Sequence, residues 1–216
     1  ADFVRRVAVA PDGNIVMTGE AVQGTHFDYV TIKYSPDGAV LWTNIYNSGG
    51  IIDDFPSEMA IDTAGDVYVT GSAGATTFRY ATVKIDGATG AELWSQTDLE
   101  GGSSSAWGLA LDATGGVYVT GTSDPDGNHS NFNDNFFTVK RRASDGGLEW
   151  SQLYGGNPIG QYDVALAAAV DRSGRLFVGG RSATPPYTAD VLVIQYDAAT
   201  GAEVSRTSID IASPEI

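Results

Sequence analysis

A single turn-and-strand phrase recurs four times along this chain, and a repeat of that kind leaves few folds open. It reads Pro11-Asp-Gly-Asn-Ile-Val-Met-Thr-Gly19, Asp62-Thr-Ala-Gly-Asp-Val-Tyr-Val-Thr-Gly71, Asp112-Ala-Thr-Gly-Gly-Val-Tyr-Val-Thr-Gly121 and Asp171-Arg-Ser-Gly-Arg-Leu-Phe-Val-Gly-Gly180. A second shared phrase follows each copy: Tyr29-Val-Thr-Ile-Lys33, Tyr80-Ala-Thr-Val-Lys84, Phe136-Phe-Thr-Val-Lys140 and Val191-Leu-Val-Ile-Gln195. A period of about fifty residues without helical spacing implies blades of a β-propeller or coils of a β-solenoid.

Apolar alternation within each unit gives four strands, here called a to d. In the second unit they are expected at Ser57–Asp62, Asp66–Gly71, Tyr80–Ile85 and Ala91–Ser95. The a–b link is a tight Asp-x-x-Gly turn, and the c–d link Asp86-Gly-Ala-Thr-Gly90 uses glycine for positive φ. The expected fold is therefore all-β: a β-propeller of four four-stranded antiparallel blades, near 1–50, 51–101, 102–157 and 158–216. Both short links fall on one face. The b–c and d–a links, which vary in length and sequence, share the other, and variable loops on a repeated scaffold are where binding usually resides.

Composition narrows function by exclusion. A formal charge of −15 argues against nucleic acid, whose phosphates need clustered Lys and Arg. The absence of cysteine rules out a disulfide scaffold and thiolate metal sites, and leaves the compartment open. No apolar run reaches the eighteen or so residues of a membrane-spanning helix. A chain that opens on Ala1 reads as a processed or trimmed product. Strand a of the first blade comes first and strand d of the fourth comes last, so no outer strand is shared between the termini. A four-bladed ring, a homodimer forming eight blades, and a piece of a larger propeller all fit that order.

The stretch Val30-Thr-Ile-Lys-Tyr-Ser-Pro-Asp-Gly-Ala-Val-Leu-Trp42, running on through Gly49-Gly50 to Ala60-Ile-Asp-Thr-Ala-Gly-Asp-Val-Tyr-Val-Thr-Gly71, resembles the bacterial β-propeller repeat family often labelled SBBP. The likeness covers essentially the whole chain. It implies a fold, in proteins that are usually exported or surface-attached, and carries over no shared activity or catalytic residues. A weaker likeness is to quinoprotein propellers, whose motif Asp-x-x-Thr-Gly-x-x-x-Trp matches Asp86, Thr89, Gly90 and Trp94. The fourth unit keeps Asp197, Thr200 and Gly201 but has Ser205 for the tryptophan. That motif is structural even in quinoproteins, so it implies no quinone cofactor.

Repeats also predict how blades touch. Lys33, Lys84 and Lys140 share one place at the end of strand c, and Asp62, Asp112 and Asp171 end strand a at the matching level. Pairing each lysine with the next blade's aspartate gives Lys33–Asp62, Lys84–Asp112 and Lys140–Asp171, the alternative being solvated edges. Trp42, Trp94 and Trp150 each follow the c–d turn glycine by four residues, where a large ring fills the wedge between blades.

Candidate ligand contacts are Arg6, Asp53, Asp54, Glu58, Trp107, Tyr162 and Tyr187. Trp107 stands out in a strand-a row with Arg5, Ser57 and Leu166, beside a row of Arg6, Glu58, Gly108 and Ala167. Arg6 and Glu58 either satisfy each other or line a pocket. Asp53 and Asp54 are paired acids in a glycine-rich link, a pairing that can perform glycoside hydrolysis where the separation allows it, the alternative being plain exposed acids. In the long b–c link of the third unit, Asp124, Asp126, Asn128 and Asp134 offer hard oxygen ligands, so calcium is the cofactor this loop would take, against a plain solvated loop. An EF-hand starting at Asp124 would want glycine at His129 and glutamate at Asn135.

The expected function is a non-catalytic binding or scaffold module, extracellular or on a bacterial cell surface, with its ligand face made by the b–c and d–a loops. Its partner would be a carbohydrate, a surface polymer or a protein. A hydrolase or lyase acting through Asp53, Asp54, Glu58 or Arg6 and a structural subunit of a larger assembly are the alternatives. Convergent carboxylates of perturbed pKa would mark the enzyme, exposed aromatics the binder, and apolar flanks on the end blades the subunit.

Overall fold

Four four-stranded antiparallel sheets make up the regular structure, each joining strands in chain order. In this computed structural model, residues 2–125, 127, 134–155, 162–184 and 188–210 are described. The first blade is β1 (Phe3–Val9), β2 (Ile15–Gln23), β3 (His26–Tyr34) and β4 (Val40–Tyr46); the second is β5 (Phe55–Ile61), β6 (Val67–Ala73), β7 (Arg79–Ile85) and β8 (Glu92–Asp98). The third is β9 (Ser103–Leu111), β10 (Gly116–Asp124), β11 (Asn135–Arg142) and β12 (Leu148–Tyr154). The fourth is β13 (Val164–Val170), β14 (Leu176–Thr184), β15 (Thr188–Tyr196) and β16 (Glu203–Ile209). This is the β-propeller architecture. The blades group into two compact units, Ala1–Asp98 and Leu99–Ile216.

The repeated phrase folds as it does because its aspartate supplies local acceptors. Asp62 Oδ1 accepts from the backbone N–H of Ala64 at 3.0 Å and of Asp66 at 2.9 Å, while Gly65 turns the chain at φ 94°. Asp112 and Asp171 repeat these bonds in their own turns. At the c–d turns, Asp86 and Asp197 each accept from a threonine backbone N–H and hydroxyl, Thr89 and Thr200. The shared Asp-x-x-Thr-Gly phrase is thus a turn.

Those bonds also correct the expected ion pairs. Lys33 reaches Asp12 of its own blade at 2.7 Å, and across to the second blade only for the Gly87 carbonyl at 2.6 Å. Lys140 holds Glu149 at 2.9 Å, and Asp171 holds Arg175. Neither Lys33–Asp62 nor Lys140–Asp171 forms, because the aspartates already serve the turn and a closer carboxylate lies within each lysine's reach. Lys84 pairs with Asp66 of its own blade at 2.9 Å.

Blades pack through the tryptophans. In the first unit Trp42 donates its Nε1–H to Gly87 O at 3.1 Å and packs on Gly90; in the second, Trp150 donates to Ala198 O at 3.1 Å and packs on Gly201. Trp94 is buried against Tyr68 of its own blade. Inside the blades, strands b and c are tied by buried hydroxyl pairs: Thr18–Thr31 at 3.1 Å, Thr70–Thr82 at 3.0 Å and Thr120–Thr138 at 2.8 Å. The fourth blade puts Gly179 and Val193 at that register, with open space where a Gly179 side chain would project.

Every first strand bulges at one place. The pairing shifts between Val4 and Arg6, between Pro56 and Glu58, between the partners of Gly121 and Thr120, and between Ala165 and Ala167. The residues left over are Arg5, Ser57, Trp107 and Leu166, the row in which the sequence singled out Trp107. A bulge re-aims the extra residue, and bulges concentrate beside functional sites.

Candidate ligand groove

In the second unit, the bulges of blades three and four open onto a groove of about 260 Å³. Trp107 and Leu166, the bulged residues, form its apolar walls and remain 43% and 53% exposed. Tyr162, from the d–a link, and Arg181, on β14, complete one side, with the guanidinium carbon 4.6 Å from the centre of the Tyr162 ring. Ser105 and Thr122 contribute hydroxyls. Beneath them lies Asp134, buried, whose carbonyl accepts from Asp163 N at 2.9 Å. The groove therefore combines flat apolar surface, hydroxyls and one cation at the end of the blades that carries the long links.

Two of the expected ligand residues, Trp107 and Tyr162, meet here. Tyr187, together with Asp126 and Asn128 of the expected calcium loop, lies outside the described residues. Asp124 and Asp134 are both buried, and among the described residues no group of three or more acidic or histidine side chains is placed to hold a metal.

The remaining candidates have structural partners. Arg6 and Glu58 satisfy each other at 2.8 Å, joining β1 to β5. At the equivalent place in the second unit the strands approach through Gly108, where a Cβ would stand 2.9 Å from Ala167 Cα. Asp54 is 1% exposed and accepts from Ser48 N and Oγ, each at 2.8 Å, and from Gly74 N, while its own N–H donates to Phe27 O at 2.7 Å. It staples its own d–a link to the start of β3 and to the b–c link of the second blade. Burial pushes its carboxyl above the usual range, with the hydrogen bonds from Ser48 and Gly74 opposing. Asp53 accepts from Phe27 N at 2.9 Å and lies 3.7 Å from His26 Nδ1. Asp28, also buried, is raised by desolvation against a hydrogen bond from Asn47.

Arg181 is the residue that sequence reasoning missed. It follows the last glycine of the repeated phrase, in a column with Glu20, Ser72 and Thr122. In the first blade the bulged Arg5 pairs with Glu20, at 2.8 Å from Nε to Oε2. In the fourth blade the bulged residue is Leu166, so Arg181 has no acid across from it. Reading the two columns together would have flagged an uncompensated charge.

No family model matches the sequence, and no curated protein matches it. Among solved structures, the quinohemoprotein alcohol dehydrogenase of Comamonas testosteroni, a propeller protein, aligns over 94% of this chain with a TM-score of 0.60 and 16% identity. Regucalcin of Agrobacterium tumefaciens, described as a calcium-binding protein, aligns over 96% of this chain and 74% of its own length, with a TM-score of 0.47 and 10% identity. Among the described residues no helix is long and apolar enough to cross a membrane. The chain spans about a third of the dehydrogenase, 35% of its length, and shares its fold.

Proposed function

We propose that this chain is a non-catalytic binding module whose ligand rests in the Trp107–Tyr162 groove. The observation that carries this reading is the bulge that turns Trp107 out of β9 and leaves it 43% exposed beside Tyr162 and Leu166. A tryptophan serving only as core packing would be covered, as Trp42 and Trp150 are. The acids an enzyme would use support the same reading: Asp54 serves as a loop staple and Glu58 as an ion-pair partner. Carbohydrate is the ligand class, since sugars offer an apolar C–H face to an indole and hydroxyls to Ser105 and Thr122. An exported or surface-attached setting belongs to this reading, supported by the SBBP resemblance, and fractionation of the host cell tests it.

Native electrophoresis through gels cast with neutral and acidic polysaccharides tests the binding itself. Retardation of the wild type by one polysaccharide, lost in Trp107→Ala, supports the reading. Equal retardation of both proteins puts binding elsewhere, and release of reducing ends would make the chain an enzyme.

A second reading, as a subunit of a larger blade array, is favoured by Val7, which is 68% exposed where its counterpart Met59 in the second blade is 9% exposed. Light scattering separates the two readings: a stable monomer is expected of the independent module.

A further inference from the structure

We infer that the groove selects an acidic sugar, with Arg181 reading the carboxylate of a hexuronate unit; this rests on the binding reading above. In a chain of net charge −15, cations ordinarily hold acids, from Arg5 on Glu20 to Arg206 on Glu203. Arg181, like Arg79 and Arg172, holds none among the described residues, and it alone of the three lines the groove. It is exposed and stacks on Tyr162. Stacking orients a guanidinium while leaving its N–H edge free, the arrangement that suits bidentate recognition of a carboxylate. Among the described residues Asp134 is the one acid in the groove lining, and it is buried where Arg181 is exposed.

The remaining walls decide which carboxylate. An acidic peptide would satisfy Arg181 but has no rigid apolar face for Trp107 and Leu166. A hexuronate ring has a C–H face for the indole, hydroxyls for Ser105 and Thr122, and a carboxylate at one edge for Arg181. Volume points the same way: about 260 Å³ is below the roughly 300–1,000 Å³ of ordinary small-molecule pockets and suits one ring of a chain whose neighbours stay in solvent. The protein's own negative field repels polyanions at long range, so recognition has to come from this local pairing.

Isothermal titration of the whole chain with short oligomers of galacturonate, glucuronate and mannuronate, each beside its carboxyl-reduced neutral form, tests the inference. The expected result is at least tenfold tighter binding of one uronate than of its reduced form. Arg181→Gln should erase that preference, Arg181→Lys should retain part of it, and Trp107→Ala should weaken both forms together. Equal binding of acid and neutral forms by the wild type would overturn the acidic-sugar inference and leave the binding reading intact. Binding of neither form, in a protein that also passes unretarded through every polysaccharide gel, would overturn both. A uronate preference that survives Arg181→Gln, or an Asp- and Glu-rich peptide bound with the same Arg181 dependence, would also overturn it.

Discussion

Trp42 packs against Gly90 across the boundary between the first two blades, so closely that a Cβ on Gly90 would stand 2.8 Å from the indole Cγ and Cδ2. Its Nε1–H closes the contact on Gly87 O at 3.1 Å. Trp42→Ala removes both and is expected to destabilise the protein by about 3–5 kcal/mol. Trp42→Phe keeps much of the packing and loses the hydrogen bond, leaving Gly87 O with Lys33, for a loss nearer 1 kcal/mol from that bond. Urea unfolding of both variants measures the difference, and a Trp42→Phe protein as stable as the wild type would show that the hydrogen bond carries no separate weight.

Gly108 and Gly179 make opposite predictions from the same substitution. A side chain at Gly108 would meet the backbone of Ala167 and Ala168 at 2.9 Å, whereas Gly179 has nothing within 4 Å. Gly108→Ala should cost about 1–3 kcal/mol by forcing β9 and β13 apart. Gly179→Ala should gain about 0.5–1 kcal/mol from reduced backbone entropy in the unfolded chain. Thermal unfolding of the pair is a direct check, and a stabilised Gly108→Ala protein would refute the close approach.

Tyr29 is buried with its hydroxyl lacking a hydrogen-bond partner among the described residues, and burial pushes its pKa well up. The third blade has Phe136 at the equivalent register. Tyr29→Phe should therefore stabilise the protein by about 1 kcal/mol, because an unsatisfied buried polar group is removed without loss of ring packing. Destabilisation in chemical denaturation would mean that the hydroxyl has a partner in solution.

Acid should weaken the fold through Asp12 and Asp112. Lys33 and the Asn14 N–H hold Asp12 down at about 2. Burial opposes ionisation of Asp112, but hydrogen bonds from Gly116, Tyr118 and Thr114 win and bring it to about 2 as well. Carboxylates depressed on folding contribute stability that is complete above the unfolded value of about 3.9 and lost as pH falls through the folded value. Asp28 and Asp54, raised by burial, act in the opposite sense and favour the fold as they take up protons on the way down. Replacing Asp12 and Asp112 by Asn should flatten the fall in unfolding free energy between pH 4 and pH 2. Parallel curves for variant and wild type would contradict the assignment.

The strands and both short turns were legible because each is written several times, so chance spacing in one copy is corrected by the others. Trp107 was legible as the odd member of its row, although only the strand pairing shows that the row is a bulge. The lysine partners were not. A lysine reaches several positions, and Asp62 and Asp171 were already serving their own turns. Asp53 and Asp54 looked alike as neighbouring acids, yet one is buried as a staple and the other half-exposed, a distinction set by the packing of loops distant in sequence. Arg181 was missed because its importance lies in what faces it, a leucine where the first blade has an arginine beside its glutamate.

The binding role of the groove is tested most directly by where a ligand touches the chain, which hydroxyl-radical footprinting reads out. With the polysaccharide or uronate oligomer that binds best, oxidation of Trp107 and Tyr162 should fall while that of the exposed Val7 and Val9 is unchanged. Protection confined to residues outside the groove, with Trp107 oxidised as before, would contradict it.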